Sequence, residues 1–253
     1  MSQAQLAGKL NRTQAAVSHW ESGRRSPSLD DLIEIAHFLG QDVTEFLPPR
    51  RSAVPAALRA VAQRLDETGL LEDIERFLQA ADAQSSPSAE LSVNERIPRL
   101  AAEELIAAAG ITSPPVDVYA LARKCGARVI EEAFKEDLSG LMADLEDGPA
   151  IGIKREHPDT RKRFTAAHEL AHMLLTHHER FHIDLEGRME HGVSPLYDPQ
   201  NEREANDFAA NLLMPATWVR KRYKPKISVR NLATAFNVSL EAMNWRLINL
   251  RLR

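Results

Sequence analysis

One cysteine, Cys125, is all that 253 residues contain, which excludes a disulfide within the chain and points to a reducing compartment. Long apolar runs are missing as well. Every hydrophobic stretch is broken by charge before it reaches the roughly 18 residues that a membrane-spanning helix needs, and no signal peptide is recognisable. A soluble cytoplasmic protein with no membrane partner is expected. Nor does charge of one sign dominate: 32 Lys+Arg stand against 36 Asp+Glu, a net charge of −4, which argues neither for nor against a polyanionic partner. The distribution says more. Residues 1–51 carry six basic and six acidic side chains, 52–204 carry 17 and 28, and 205–253 carry nine and two, so the C-terminus is basic. A hydrophobic content of 43% is enough to bury a core, and the length suits one large or two modest domains.

What is present is concentrated in the stretch Arg163-Phe-Thr-Ala-Ala-His-Glu-Leu-Ala-His-Met-Leu-Leu-Thr176. Phe164, Ala167, Ala171 and Leu174 recur at helical spacing, widened by Leu170 and Leu175, so the segment reads as a buried helix. His168 and His172 then lie one turn apart with Glu169 beside them. Neutral imidazoles are good zinc ligands, a catalytic zinc site takes three protein ligands and an open water position, and a carboxylate next to it can remove a proton from water. Such a short pattern also arises by chance, and a third ligand has to come from elsewhere.

The segment Asn201-Glu-Arg-Glu-Ala-Asn-Asp-Phe-Ala-Ala-Asn-Leu-Leu-Met-Pro215 offers it. Ala205, Phe208, Ala209, Leu212 and Leu213 share one helical face and Pro215 closes the helix. Glu202 and Asn206 share the adjacent face, which suits a zinc-ligating Glu202 and an Asn206 that hydrogen-bonds the outer nitrogen of a ligand histidine. Glu204, about 200° round the helix, is the second candidate ligand. An acidic residue at a helix start also simply complements the helix dipole.

Around these segments the pattern is mainly helical with a few short strands, an α+β class. Helices are expected over Arg99–Ala109 and up to Lys124. Strands are expected over Arg128–Glu131, Leu138–Ala143 and Ala150–Lys154. The last of these is either an edge strand to which a peptide could add or an ordinary strand covering the metal helix. Residues 177–200, with four histidines, Gly187, Gly192 and two prolines, read as a loop or lid over the cleft. One of its histidines or Tyr197 could stabilise an oxyanion, and none is assigned a role. Cys125 reads as a small core residue. Val229 to Leu250 reads as two short helices about the turn Asn237-Val-Ser239, after a basic run from Arg220 to Lys226; packing and nucleic-acid contact are both open.

Residues 1–50 read as a small all-α module. Thr13 is placed to cap a helix from Gln14 to Glu21, and Ser28 to cap one that carries Leu29, Leu32, Ile33, Ala36 and Leu39. Two short helices about a tight turn give a helix-turn-helix layout. Pro48-Pro49 ends the module. Residues 51–96 are expected to be a helical connector, divided at Gly69, followed by the flexible Ala83-Gln-Ser-Ser-Pro-Ser-Ala89. The connector helices could pack on either domain or on a second copy, which leaves a homodimer open. The remaining domain is expected to span 97–253.

Two resemblances follow from these residues. Gln3-Ala-Gln-Leu-Ala, Thr13-Gln-Ala-Ala-Val-Ser-His-Trp-Glu-Ser-Gly-Arg-Arg-Ser-Pro-Ser-Leu and Leu39-Gly-Gln-Asp-Val resemble the Cro/phage-repressor (XRE) type of DNA-binding domain. This likeness implies that Gln14, Ala15, Ser18 and His19 face the major groove of operator DNA and that Arg24 or Arg25 meets phosphate. Domains of that type carry one more helix before the one that begins at Ser2, so the module is expected either to bind DNA or to have become a protein-binding appendage. The pairing of Arg163-Phe-Thr-Ala-Ala-His-Glu-Leu-Ala-His with Glu202-Arg-Glu-Ala-Asn-Asp-Phe-Ala-Ala-Asn-Leu-Leu-Met-Pro resembles the ImmA/IrrE metallopeptidases. It implies a zincin-like domain with a gluzincin site, Zn2+ on His168, His172 and Glu202, and Glu169 as base. It also implies a protein substrate, a cognate repressor or antitoxin, whose cleavage switches on stress or mobile-element genes. A DNA-binding regulator whose zincin fold senses or binds without turnover is the alternative, and a housekeeping peptidase a third.

Overall fold

The structure, a computed structural model, describes residues 3–10, 12–21, 27–39, 68–135, 138–175, 181–185, 198–224 and 226–253. The chain divides into two compact units, Met1–Arg51 and Ser52–Arg253.

In the first unit α1 (Gln3–Lys9), α2 (Gln14–Glu21) and α3 (Leu29–Leu39) bury Ala7, Leu10, Val17 and Ala36. Both expected caps are present. Thr13 Oγ1 accepts from the Ala16 amide (3.2 Å), and Ser28 Oγ from the Asp31 amide (3.2 Å), while Asp31 accepts in return from the Ser28 amide (3.1 Å). The buried Asp31 also takes the Arg12 guanidinium at 2.8 Å, which ties the turn before α2 to the first turn of α3.

The second unit is built on a four-stranded sheet of order β1-β3-β2-β4, from β1 (Arg128–Glu132), β2 (Leu138–Leu145), β3 (Gly148–Lys154) and β4 (Phe181–Leu185). Strand β1 runs parallel to β3, and β2 antiparallel to both β3 and β4. The alternation of side chains gives the sheet two apolar faces. Leu141, Ala143, Ala150 and Ile130 face α4 (Thr68–Asp82), which buries Leu70, Ile74, Phe77, Leu78 and Ala81 against them. Val129, Met142, Ile151 and Ile153 face the larger core, which contains α7 (Asp159–Leu174) together with α5 (Pro98–Ala108), α6 (Val118–Lys124), α8 (Pro199–Leu213), α9 (Ala216–Arg222), α10 (Val229–Phe236) and α11 (Leu240–Asn249). Two glycines make the close approaches. A Cβ on Gly140 would run into Thr165 and lie 3.0 Å from Glu169, and one on Gly152 would meet the Phe77 ring at 2.8 Å.

Two expectations are revised here, and one left open is decided. The strand at 150–154 is no edge: β3 is paired on both sides, by β1 and by β2, so no peptide can add to it. Residues 181–185, read as part of a loop, form β4 on β2, because Phe181, Ile183 and Leu185 alternate toward the α4 side of the sheet. The helix at 68–82, read as a connector, contains Gly69 in its first turn and is a layer of the second unit. The buried Arg128 ties it down: its guanidinium donates to both Asp147 oxygens (2.7 and 2.8 Å), to Gly148 O (2.7 Å) and to Ala81 O at the end of α4 (2.9 Å). The chain after it also packs, since a Cβ on Gly148 would meet Ser86 and one on Gly126 would meet Ala89. The residues expected to form the first connector helix, 56–65, lie outside the described residues.

The C-terminal pair has the expected form. Asn237 adopts a left-handed conformation (φ 51°), Ser239 Oγ accepts from the Ala242 amide (3.0 Å), and Leu232, Phe236, Met243 and Leu247 are buried. No described helix is long and apolar enough to cross a membrane.

Candidate metal centre

Helix α7 starts after Pro158 with Asp159 in its first turn, and every residue from Thr165 to His172 is buried. That burial would be costly for His168, Glu169 and His172 without partners. The partners come from α8 and β4. Asp198 caps α8 by accepting from the Gln200 amide at 2.7 Å, and Pro199 occupies the first turn, so Glu202 enters the core one turn in. Strand β4 turns His182 away from the apolar α4 side and into the same space. His168, His172, His182 and Glu202, all buried, bring one ligand atom each within 4.8 Å of one another, and the group could hold a metal ion.

The distances test what fits. With metal–ligand bonds of about 2.1 Å, a tetrahedral site has ligand–ligand edges of about 3.4 Å. His168 Nε2 and His172 Nε2 are 3.1 Å apart, His168 Nε2 and Glu202 Oε2 3.3 Å, and His172 Nε2 and Glu202 Oε1 3.7 Å. Imidazole nitrogens and a carboxylate suit a borderline cation such as zinc. Asn206, one turn beyond Glu202, places Oδ1 3.2 Å from His168 Nδ1; taken as an N–H donated to that oxygen, the contact leaves Nε2 as the lone-pair nitrogen.

His182 joins two carboxylates, with Nδ1 2.9 Å from Glu169 Oε2 and Nε2 2.7 Å from Glu202 Oε1. Its ring stacks on that of His172, centroids 3.6 Å apart. Burial alone would lower the His182 pKa, and the Glu169 and Glu202 carboxylates raise it well above the ordinary histidine value. Glu202 is the counterpart: burial would raise its pKa, but hydrogen bonds with His168 and His182 hold it well below the usual carboxylate range. On the same strand, burial pushes the Asp184 carboxyl up to about 6. Glu169 is fully buried, and its Oε1 has no hydrogen-bond partner among the described residues.

The structure therefore brings together His168, Glu169, His172, Glu202 and Asn206, and it leaves Glu204 out, on the other side of α8 beside Gln200 (2.9 Å). Sequence reasoning missed His182. The alternation Phe181-His-Ile-Asp-Leu185, apolar at every second residue, is the signal that identifies a strand and puts His182 and Asp184 on one face. Cys125 is buried and its thiol is pushed up to about 11 by burial, in keeping with a core residue. His177, His178, His191 and Tyr197 lie outside the described residues.

In the first unit Gln14, Ala15 and His19 are exposed on α2 and Ser18 is half-buried beside them. Arg24 and Arg25 lie outside the described residues.

Two histidines a turn apart on a buried helix, a carboxylate beside them and another from a second helix are the side chains that a metallopeptidase site needs. Comparison with known families agrees: residues 122–247 match the IrrE N-terminal-like domain of the M78 peptidases, and residues 1–46 match a helix-turn-helix. The chain thus carries an M78 metallopeptidase domain behind a helix-turn-helix DNA-binding domain. No curated protein matches it.

Proposed function

We propose that the chain is a zinc-dependent, site-specific endopeptidase that regulates transcription or a stress response by cutting a cognate repressor or antitoxin. The observation that carries this reading is the buried set of His168, His172 and Glu202 with the Glu169 carboxylate on the same helix. His168 and His172, through Nε2, and Glu202, through its carboxylate, would hold the cation. When bound, the cation acidifies a coordinated water and polarises the scissile carbonyl. Glu169 Oε1, which has no partner among the described residues, takes a proton from the attacking water and delivers it to the leaving amine. His182 holds the other oxygen of Glu169 and so fixes which oxygen receives the proton. Asn206 keeps His168 in the ligating tautomer. The helix-turn-helix unit, with Gln14, Ala15, Ser18 and His19 on its second helix, would bring the peptidase to operator DNA or to a DNA-bound substrate.

The test incubates the zinc-loaded chain and its Glu169→Gln form with the repressor or antitoxin encoded beside it. Loss of cleavage by at least about a hundredfold, with zinc content unchanged, is expected. Unchanged cleavage would remove Glu169 from the mechanism, and absence of cleavage by either form would favour a regulator that only senses metal. A sequence-dependent gel shift that Gln14→Ala abolishes tests the DNA role.

A further inference from the structure

Apart from the metal ligands, α7, α8 and α11 enclose a cavity of about 420 Å³. Its apolar walls are Phe164 from α7, Ala210 and Leu213 from α8, Val238 from the turn after α10, and Ala242 and Trp245 from α11. No residue of the histidine and glutamate cluster lines it. Asn206 does, and with Phe164 it stands between the cavity and the ligating side of His168. Its Oδ1 is 3.2 Å from His168 Nδ1, whereas Nε2 of that ring faces His172 and Glu202. The cavity is therefore a compartment of its own.

A buried cation holds this space open. The Arg246 guanidinium bridges α11 to the end of α8, where Nε donates to Met214 O (2.9 Å) and Nη2 to Asn211 Oδ1 (2.7 Å). Asn211 is fixed in turn by donating Nδ2 to Asp207 O (2.8 Å). With that bridge between the helices and only methyl groups at Ala210 and Ala242, the two walls do not close on each other. Trp245 is 60% exposed, and Glu241 and Asn249 are exposed as well, so the cavity meets solvent along α11. Water in such a space finds few partners, and the apolar wall gains by exchanging it for an apolar occupant.

We infer that this cavity is a binding site, separate from the metal centre, for a small uncharged molecule built on an aromatic ring. The inference is independent of the peptidase reading. Its volume falls in the range of about 300 to 1,000 Å³ that small-molecule pockets occupy. The polar wall residues argue against a charged ligand. Asn206 holds His168, Ser239 Oγ accepts from the Ala242 amide, Arg161 donates to Ser139 Oγ (3.3 Å), and Arg246 forms the bridge, so each is engaged within the protein. Glu241, a carboxylate at the mouth, repels an anion. An ion that entered would exchange its water for hydrocarbon. Phe164 and Trp245 instead offer ring surface from two walls, which suits a flat aromatic group.

The test uses the full chain and three probes of one shape: 3-phenylpropanol, 3-phenylpropanoate and 3-phenylpropylammonium. Indole N–H resonances are followed, and that of Trp245 is assigned by its loss in Trp245→Phe. Phenylpropanol is expected to shift the Trp245 signal saturably, and the two ions to bind at least about tenfold more weakly. Its affinity should agree within about twofold between the metal-free and the zinc-loaded chain. A silent Trp245 signal overturns the site, and equal binding of either ion overturns the ligand class. An affinity that changes more than about tenfold with zinc overturns the separation from the metal centre. Ala242→Phe fills the cavity and should abolish both the Trp245 shift and the rise in Tm that phenylpropanol gives the parent chain. Retention of both in this variant would place the probe elsewhere and overturn the assignment. Should Ala242→Phe fail to fold, Ala210→Leu fills the cavity from the α8 wall and is read in the same way.

Discussion

The Nδ1 atom of His182 lies 2.9 Å from Oε2 of Glu169, so a residue of β4 fixes one oxygen of the carboxyl that the metal helix carries. The same ring reaches Glu202 at 2.7 Å. If His182 positions these two carboxylates and does not itself hold the cation, His182→Ala should keep about one zinc per chain by elemental analysis. It should lower kcat more than it raises KM, by about a hundredfold, and displace the acid limb of the pH profile. Loss of zinc in this variant would instead make His182 a ligand.

Zinc affinity should separate two glutamates that are two residues apart. Glu202→Ala removes a carboxylate 3.3 Å from His168 Nε2, whereas Glu204→Ala changes a side chain outside the cluster. Competition with a chelator should show zinc lost from the first variant and retained by the second. Asn206→Ala should fall between them, weakening zinc by about 10 to 100-fold, because it frees His168 to turn or change tautomer without removing a ligand.

Gly140→Ala should be destabilising in spite of its size. The added methyl would strike Thr165 and come within 3.0 Å of Glu169, forcing α7 away from β2. A loss of about 1 to 3 kcal/mol in urea unfolding is expected, with lower peptidase activity in the fraction that folds. Stability equal to that of the parent chain would mean that α7 can give way at this point.

The helix-turn-helix unit should weaken in acid. Hydrogen bonds from Ser28, and then the Arg12 guanidinium, hold the Asp31 carboxyl below its ordinary value of 3.8. A carboxyl whose pKa is lower when folded stabilises the fold fully above the unfolded value and ceases to do so as the pH falls through the folded one. Amide exchange in α2 and α3, corrected for its intrinsic pH dependence, should therefore accelerate below about pH 4. Asp31→Asn should remove that dependence and show faster exchange at pH 7.

Much of the site is legible in the sequence because helices carry it. The spacings His168 to His172 and Glu202 to Asn206 correspond to one turn each, so a helical pattern is enough to say that the members of each pair share a face. That the two helices meet is a tertiary fact, and it became readable only through the paired motif. His182 escaped because the five-residue strand that carries it is flanked by polar, glycine-containing sequence, and the histidine-rich context outweighed the apolar alternation. The order of the sheet was illegible for a different reason. Nothing local tells β3 that β1, before β2 in the chain, will pair with its free side. The packing of α4 was similarly hidden, since its apolar stripe shows that it is covered and not by what.

The Arg128 clamp and the α4 layer bear on where the catalytic part of the chain can be cut. A fragment that begins at residue 122, where the M78 match starts, would keep every proposed ligand but strip Leu70, Ile74, Phe77, Leu78 and Ala81 from the sheet. Ile130, Leu141, Ala143 and Ala150 would then face water, and the Arg128 guanidinium would lose its acceptor at Ala81. Such a piece should be recovered as aggregate, whereas one that starts ahead of Thr68 should stay in solution and bind zinc. The stretch that matches the peptidase family is thus shorter than the unit whose core it shares.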